Sequence, residues 1–66
     1  MRIKVNGMWK EVPPGMTVLQ LVEEAQYRPD RIAVEINLEI VPKRTYAARV
    51  LQEGEFVEIV GFVGGG

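Results

Sequence analysis

The residues of this sequence that could take part in chemistry stand at its C-terminal end. The last three positions, Gly64, Gly65 and Gly66, are all glycine, and glycine leaves the backbone nearly free in φ and ψ because it has no Cβ. Such a segment is either a frayed end or a thin support for the terminal carboxylate, able to enter an enzyme channel too narrow for any larger residue. In the second interpretation the carboxylate of Gly66 is itself the reactive group.

The residue types that usually perform catalysis are missing or isolated. The 66 residues include no cysteine and no histidine, which removes the thiolate nucleophile, the usual general base and the usual zinc ligand. No spacing fixes a pair of carboxylates, so we predict that the acidic side chains are solvated surface charges. They are Glu11, Glu23, Glu24, Asp30, Glu35, Glu39, Glu53, Glu55 and Glu58. The sequence therefore predicts no catalytic residue and no metal site.

Length and composition indicate one small globular domain. Hydrophobic residues make up 47% and charged residues 26% of the chain, as in folded proteins rather than disordered ones. A net charge of −1 offers no electrostatic reason to expect nucleic acid or an anionic membrane as a partner. No apolar run approaches a membrane span, and the start of the chain lacks the apolar core of a signal peptide. A cytoplasmic location is the default expectation.

The elements that must position the tail begin with a predicted hairpin. Ile3 and Val5 alternate with polar residues, which is the pattern of a half-buried strand, and Asn6-Gly7 supplies the positive φ angles of a tight turn. The returning strand around Trp9 ends at Pro13-Pro14, so it is predicted to lie at a sheet edge. Trp9 is predicted to cover the sheet rather than to bind a partner.

A helix is predicted to begin at Thr17. The Thr17 hydroxyl can accept a hydrogen bond from the amide of Gln20, while the Gln20 side chain reaches back to the Thr17 amide. The apolar residues that follow lie on one side of this helix; they are Val18, Leu19, Leu21, Val22 and Ala25. A helix of about two to three turns is marginal alone, so we expect it to pack on the sheet.

The second half of the chain is predicted to supply the remaining strands. The run 32–36 is almost continuously apolar and is expected to be buried on more than one side. Ile40-Val41 is predicted as a short strand, and residues 46–51 as a helical turn plus a short extended piece. The last strand, 56–60, alternates in character and leads into the tail. Lys43, Arg44 and Arg49 form a basic cluster, predicted to be a solvated face that could contact an acidic partner.

This order of elements predicts an α+β fold. It comprises a mixed sheet of four to five strands with one main helix packed on one face. The predicted domain spans residues 1–60, and residues 61–66 are predicted to form a flexible glycine-rich tail. The last strand would provide a rigid base for this tail, and the terminal carboxylate would lie at its free end.

Three stretches of the sequence, taken in order, carry a resemblance to a known family. They are Ile3-Lys4-Val5-Asn6-Gly7, then Val34-Glu35-Ile36-Asn37 with Ile40-Val41-Pro42, then Glu58-Ile59-Val60 leading into Phe62-Val63-Gly64-Gly65-Gly66. With these stretches the whole chain resembles the ThiS family of sulfur carriers in thiamin biosynthesis, which are ubiquitin-like β-grasp proteins. It departs from the usual Asn-Gly of that family at Asn37-Leu38.

The resemblance implies a carrier that partner enzymes modify, not a catalyst. In such families a ThiF-like adenylating enzyme of the ubiquitin-activating type uses ATP and magnesium to convert the terminal glycine, here Gly66, to an acyl-adenylate. Sulfur from a persulfide donor, a cysteine desulfurase or a relay protein, then displaces AMP. After reductive release, thiazole synthase takes sulfur from the resulting thiocarboxylate. The carrier itself is expected to bind no cofactor.

The resemblance also implies roles for the other tail residues. Gly65 and Gly64 would thread the enzyme channel, since a side chain there would clash with its walls. Phe62 and Val63 are candidates for an exposed partner-binding patch, although Phe62 could equally fold back onto the sheet.

Three alternatives remain open from the sequence. The first is a carrier like the small subunit of molybdopterin synthase, which shares the fold and the activation logic. The second is a ubiquitin-like modifier joined through Gly66 to lysines of other proteins. The third is a plain β-grasp binding module whose glycine tail is incidental.

Overall fold

The structure, a computed structural model, describes residues 1–61 of the chain. Within this range the chain forms five strands and one α-helix. In chain order they are β1 (Arg2–Val5), β2 (Met8–Glu11), α1 (Val18–Glu24), β3 (Ile32–Ile36), β4 (Glu39–Ile40) and β5 (Phe56–Gly61). Two short 3-10 turns lie in the connections, at Pro29–Arg31 and Lys43–Thr45. The predicted order of strands and helix is confirmed.

All five strands belong to one mixed sheet, in the spatial order β2-β1-β5-β3-β4. Strand β5 lies at the centre, parallel to β1 and antiparallel to β3, while the β1–β2 and β3–β4 pairs are antiparallel. Strand β2 is an edge strand, as the following Pro13-Pro14 predicts. The predicted α+β fold, a mixed sheet with one helix, is therefore confirmed.

Two tight turns connect the antiparallel pairs, and each has the positive φ angles of a type I′ turn. The β1–β2 turn has Asn6 at φ 48° and Gly7 at φ 83°, as predicted. The β3–β4 turn has Asn37 at φ 52° and Leu38 at φ 71°. Leucine at such an angle is unusual, because its Cβ crowds the backbone in the left-handed region.

Helix α1 begins with the predicted capping box. The Thr17 hydroxyl accepts from the Gln20 amide at 3.1 Å, and the Gln20 side chain accepts from the Thr17 amide at 3.0 Å. The helix buries Val18, Leu21 and Val22. Ala25, predicted in the apolar stripe, is instead the exposed C-cap residue, because the helix ends one residue before it.

The core lies between α1 and one face of the sheet. The buried hydrophobic residues are Ile3, Val12, Met16, Val18, Leu21, Val22, Ile32, Val34, Ile36, Val41, Tyr46, Leu51, Val57 and Ile59. In β3 burial alternates, with Ala33 and Glu35 only partly covered. The prediction that this strand is buried on more than one side is therefore wrong, because the single helix covers only one face of the sheet.

The connection between β4 and β5 differs in detail from the prediction. Strand β4 begins one residue earlier than expected, at Glu39, and Val41 passes into the core. The helical turn also comes earlier, at Lys43–Thr45, where the Thr45 hydroxyl donates to the Pro42 carbonyl at 2.7 Å. The extended piece is confirmed at Val50, which forms an isolated bridge with Thr17.

Within residues 1–61, no helix is both long enough and apolar enough to cross a membrane.

Candidate functional site

Strand β5 is the part of the structure from which the glycine tail departs. It runs one residue further than predicted, because Gly61 still pairs with Ile32 of β3. The predicted site residues lie outside the described range; they are Phe62, Val63, Gly64, Gly65 and Gly66. The structure therefore describes the base of the tail, and the roles assigned to those five residues stay predictions.

At the base of the tail, strand β5 pairs with β3 over more residues than it pairs with β1. Strand β3 pairs with β5 along residues 57–61, whereas β1 pairs with it in register only at Phe56 and Val57. Backbone bonds from Lys4 and Asn6 reach the carbonyls of Glu55 and Val57, at 2.9 and 2.8 Å. Beyond Val57, strand β1 no longer supplies backbone partners to β5.

The side chain of Asn6 continues the hydrogen bonding where β1 stops. Its Oδ1 accepts from the Ile59 amide at 2.7 Å, and its Nδ2 donates to the Ile59 carbonyl at 3.3 Å. The other turn asparagine, Asn37, accepts from the Phe56 amide at 3.0 Å through its own Oδ1. Sequence reasoning assigned Asn6 to the turn alone and missed these contacts, because a turn asparagine gives no sign of a partner 53 residues away.

The face of the sheet opposite α1, called here the outer face, is not covered by any helix of the described residues. Alternation along the strands and the register of the pairs place on it Arg2, Lys4, Trp9, Glu11, Ala33, Glu35, Ile40, Phe56, Glu58 and Val60. Phe56 and Val60 of β5 point outward, and their exposed fractions are 54% and 51%. The strand that carries the tail therefore presents apolar side chains to solvent.

Two aromatic rings and two cations meet on this outer face. The ring of Trp9 packs edge-to-face on Phe56, with centroids 6.0 Å apart at 90°. The Arg2 guanidinium lies 4.8 Å from the Trp9 centroid, and the Lys4 ammonium lies 5.6 Å from Trp9 and 5.4 Å from Phe56. Trp9 thus covers the sheet as predicted, on its outer face, and remains 47% exposed.

The apolar surface continues to the β3–β4 turn at the other side of the sheet. Leu38 is 89% exposed and Ile40 is 68% exposed. Leu38 and Phe56, with Asn37 and Glu58, line an open cleft of about 310 Å³. The cleft lies between the β3–β4 turn and Phe56 of the aromatic pair.

The predicted basic cluster is divided, because Arg49 forms an ion pair. Its guanidinium contacts the Glu55 carboxylate at 2.7 Å, and Glu55 also accepts from the Gln52 amide at 2.6 Å. The prediction that all acidic residues are solvated is wrong for Glu55, which is only 8% exposed, because the chain folds the arginine back over the turn. Lys43 donates to the Pro29 carbonyl at 2.9 Å.

A second open cleft, of about 320 Å³, lies beside β4 and the loop that follows it. It is lined by Ile36, Glu39, Ile40, Val41, Pro42, Thr45 and Arg49. The guanidinium of Arg49 is already engaged by Glu55, and the Thr45 hydroxyl donates to the Pro42 carbonyl.

Tyr46 is a core residue whose burial shifts the pKa of its hydroxyl. Tyr46 is 2% exposed in the core, and burial raises the pKa of its hydroxyl above the usual value, with a smaller opposing effect from the backbone of Val34. Among residues 1–61, no side-chain or backbone group meets hydrogen-bonding geometry with Tyr46 Oη. The same range contains no group of three or more carboxylate, histidine or cysteine side chains that could hold a metal ion.

These features define the class of protein. A mixed sheet that packs one helix on a single face, with its last strand at the centre and parallel to the first, is a β-grasp fold of the ubiquitin-like kind. What distinguishes the site is the strand that carries the tail and the apolar surface along it.

Comparison with known proteins identifies the family. The sequence model of the ThiS family matches residues 3–66, so the chain belongs to the ThiS family. The sulfur carrier protein ThiS of Escherichia coli is 30% identical over 66 residues, which cover all of both chains. The crystal structure of the thiamine biosynthesis protein ThiS from Geobacter metallireducens superposes with a TM-score of 0.85 at 28% identity, covering all of both chains.

Two other relatives are larger proteins. The thiazole synthase of Paramagnetospirillum magneticum is 42% identical over 66 residues, and that of Magnetococcus marinus is 39% identical over the same length. All of this chain is covered in each match, but it spans only 20% of either relative's length. In both relatives a ThiS-like segment is therefore part of a longer chain named thiazole synthase.

Proposed function

We propose that this chain is a sulfur carrier in thiamin biosynthesis, with the terminal carboxylate of Gly66 as the group that carries sulfur. The observation that carries the proposal is the ThiS family match over residues 3–66, which includes the entire glycine tail. The relative of equal length from Escherichia coli, named a sulfur carrier protein, supports it. In this proposal the chain is a co-substrate of other enzymes and not itself a catalyst.

The first proposed step is activation of the carboxylate by a ThiF-like adenylating enzyme. A carboxylate is a poor electrophile, because its negative charge repels nucleophiles and its oxygen is a poor leaving group. Attack of a Gly66 carboxylate oxygen on the α-phosphorus of ATP, with magnesium on the phosphates, forms an acyl-adenylate and releases pyrophosphate. ATP and magnesium are bound by the partner, and this chain supplies only the carboxylate.

The second proposed step transfers sulfur. The terminal sulfur of a persulfide on a cysteine desulfurase or relay protein attacks the Gly66 carbonyl carbon, and the bond to AMP breaks. The product is an acyl disulfide, whose S–S bond a thiol reductant then cleaves. Gly66 is left as a thiocarboxylate, and thiazole synthase takes the sulfur from it.

The architecture of the chain supports a carrier that supplies the carboxylate while partner enzymes perform the chemistry. Strand β5 is held by β3, by β1 and by the Asn6 side chain up to Ile59, so the tail starts from a fixed point. Five residues follow Gly61 and can extend the carboxylate up to about 17 Å from it. We propose that Gly64 and Gly65 thread the enzyme channel and that Phe62 and Val63 contact the partner at its mouth.

The test is the intact mass of the purified chain after incubation with an adenylating enzyme, ATP, magnesium, a persulfide donor and a thiol reductant. The expected result is a gain matching replacement of one oxygen by sulfur, located at Gly66 and dependent on ATP. The matched control lacks Gly65 and Gly66, and it should fold but gain nothing. An unchanged mass of the full chain, with an adenylating enzyme shown to be active on its own carrier, would reject the carrier function.

A further inference from the structure

Asn6 and Asn37 are the two asparagines of the chain, and each stands at the first position of a tight turn with positive φ angles. Asn6 has φ 48° and is followed by Gly7, whereas Asn37 has φ 52° and is followed by Leu38. Through its Oδ1, each side chain accepts a hydrogen bond from a backbone amide of β5. The two turns are therefore alike in geometry and differ in the residue that follows the asparagine.

We propose that Asn6 is a site of spontaneous covalent modification, namely deamidation through a cyclic imide formed with Gly7. The reagent is water, and the product is aspartate or isoaspartate at position 6. The modification releases the end of β5, from which the tail departs, because the Asn6 amide is part of what holds that end.

The reaction begins at the backbone nitrogen of Gly7. After this nitrogen has lost its proton to a base, it attacks Cγ of Asn6, the Cγ–Nδ2 bond breaks, and Nδ2 takes up a proton and leaves as ammonia. The product is a five-membered succinimide ring. Water then adds to one of the two ring carbonyls and opens the ring, which leaves either aspartate with the normal backbone or isoaspartate, whose backbone runs through Cβ. The sum is the hydrolysis of one amide, with no change of oxidation state.

Gly7 leaves its backbone nitrogen open to this reaction. Both residues of the turn are exposed, and a Cβ added at Gly7 would meet nothing within 4 Å. Because glycine has no side chain, its backbone reaches conformations that other residues rarely adopt, and its nitrogen is not shielded. At the β3–β4 turn the nitrogen that would attack belongs to Leu38, whose side chain hinders cyclisation at Asn37.

The contact of Asn6 with Ile59 restrains the reaction in the folded chain. Oδ1 accepts from the Ile59 amide at 2.7 Å and Nδ2 donates to its carbonyl at 3.3 Å, so Cγ turns toward the Gly7 nitrogen only after these bonds open. We expect this requirement to slow the reaction about tenfold or more relative to the unfolded chain. Because the turn lies at the surface, a local opening is sufficient and global unfolding is not needed.

Either product weakens the hold on β5. In aspartate, a carboxylate oxygen replaces Nδ2 and faces the Ile59 carbonyl with no proton to donate. In isoaspartate, the main chain of the turn is one carbon longer, which disturbs the pairing of Val5 with Met8 on either side of it. Because β1 pairs in register with β5 only as far as Val57, loss of the contact leaves β3 as the remaining strand partner at Ile59.

The first test follows deamidation of the purified chain in mildly alkaline buffer by mass spectrometry. Peptide mapping locates the mass gain that replaces an amide NH2 by OH, and an isoaspartyl methyltransferase distinguishes isoaspartate from aspartate. We expect product at Asn6 of the folded chain and none at Asn37 over the same period. In urea that unfolds the chain, the product at Asn6 should form about tenfold faster or more.

Leu38→Gly is the matched variant, because it places an Asn-Gly pair in the second turn as well. It should make Asn37 reactive and leave the rate at Asn6 unchanged. Equal product at both asparagines of the wild-type chain would overturn the proposal, as would a folded chain without product at Asn6 after many half-times of the reaction in urea. An Asn37 that stays unreactive in Leu38→Gly would also overturn it, because the following residue would then not determine the site.

The second test measures backbone hydrogen exchange after the modified chain has been separated by anion exchange. Exchange at the Ile59 amide should become faster, whereas exchange at the Phe56 amide, which is bound by Asn37, should stay as in the unmodified chain. Unchanged exchange at Ile59 would overturn the proposed release of β5. Both tests measure the domain itself, so their outcome is independent of whether Gly66 carries sulfur.

Discussion

The side-chain amide of Asn6 pairs with both backbone groups of Ile59, accepting from its amide at 2.7 Å and donating to its carbonyl at 3.3 Å. The first turn of the chain is thereby joined to its last strand. Because β1 pairs in register with β5 only at Phe56 and Val57, the asparagine side chain acts as a short extension of β1. The position from which the tail departs depends on a residue near the start of the chain.

Removing the Asn6 side chain should therefore loosen the end of β5. Asn6→Gly keeps a residue that tolerates the φ of 48° but deletes both hydrogen bonds, and we expect the free energy of unfolding to fall by about 1–3 kcal/mol. Urea denaturation measures the loss, and hydrogen exchange should locate it at the Ile59 amide. Asn6→Asp retains the acceptor and should lose less. Unchanged exchange at Ile59 in Asn6→Gly would contradict the proposed anchoring.

Replacing Leu38 by glycine should stabilise the fold. The φ of 71° is strained for leucine and natural for glycine, and the side chain is almost fully exposed, so we expect a gain of about 1 kcal/mol. Urea denaturation is again the measurement. Asn37→Gly serves as the comparison, because it also removes left-handed strain but loses the bond to the Phe56 amide. A destabilised Leu38→Gly would show that the leucine makes a contact that its exposure does not reveal.

The ion pair between Arg49 and Glu55 should contribute more than a surface pair. Arg49→Met leaves a carboxylate that is 8% exposed with the Gln52 amide as its remaining contact, and we expect a loss of about 2 kcal/mol. Lys10→Met breaks the pair with Glu24, in which both side chains are about half exposed, and should cost under about 0.5 kcal/mol. Equal losses in chemical denaturation would mean that burial of Glu55 has no energetic effect.

Tyr46 should make the fold sensitive to alkaline pH. Burial raises the pKa of its hydroxyl in the folded state, whereas in the unfolded chain the pKa is about 10. Above that pH the unfolded state loses its proton first, so stability is fully present below pH 10 and is lost as pH rises toward the folded pKa. Tyr46→Phe should flatten this fall in pH-dependent denaturation. Tyr27→Phe, at an exposed site, should not, and equal slopes in the two variants would refute the prediction.

Two glycines offer a matched test of the tail. A Cβ added at Gly61 meets nothing within 4 Å, so Gly61→Ala should change stability by less than about 0.5 kcal/mol and should still gain sulfur. Gly65→Ala adds the same methyl group in the segment proposed to thread the enzyme channel, and we expect sulfur loading to fall sharply. The rate of the mass change compares the two variants. Equal loading would argue against a channel that excludes a Cβ at Gly65.

Several elements of the fold were predictable from the sequence because their signals are local. The Asn6-Gly7 turn is determined by residue types that accept positive φ, and the capping box needs only Thr17 and Gln20 three residues apart. Alternation along β5 predicted two distinct sides of the strand, and the structure buries Val57 and Ile59 on one of them. In each case the residues that interact are neighbours along the chain, so composition and spacing contain the necessary information.

The sequence by itself thus determined the elements, their order and the glycine tail, while the tertiary structure decided what covers each face. A single helix packs on one side of the sheet, and this leaves Glu35 and the rest of the outer face of β3 only partly covered. The burial of Glu55 and the contact of Asn6 with Ile59 are also decided by the tertiary structure. They depend on segments that meet only after the chain has folded, because burial and hydrogen-bond partners are properties of the packed molecule and not of the local sequence.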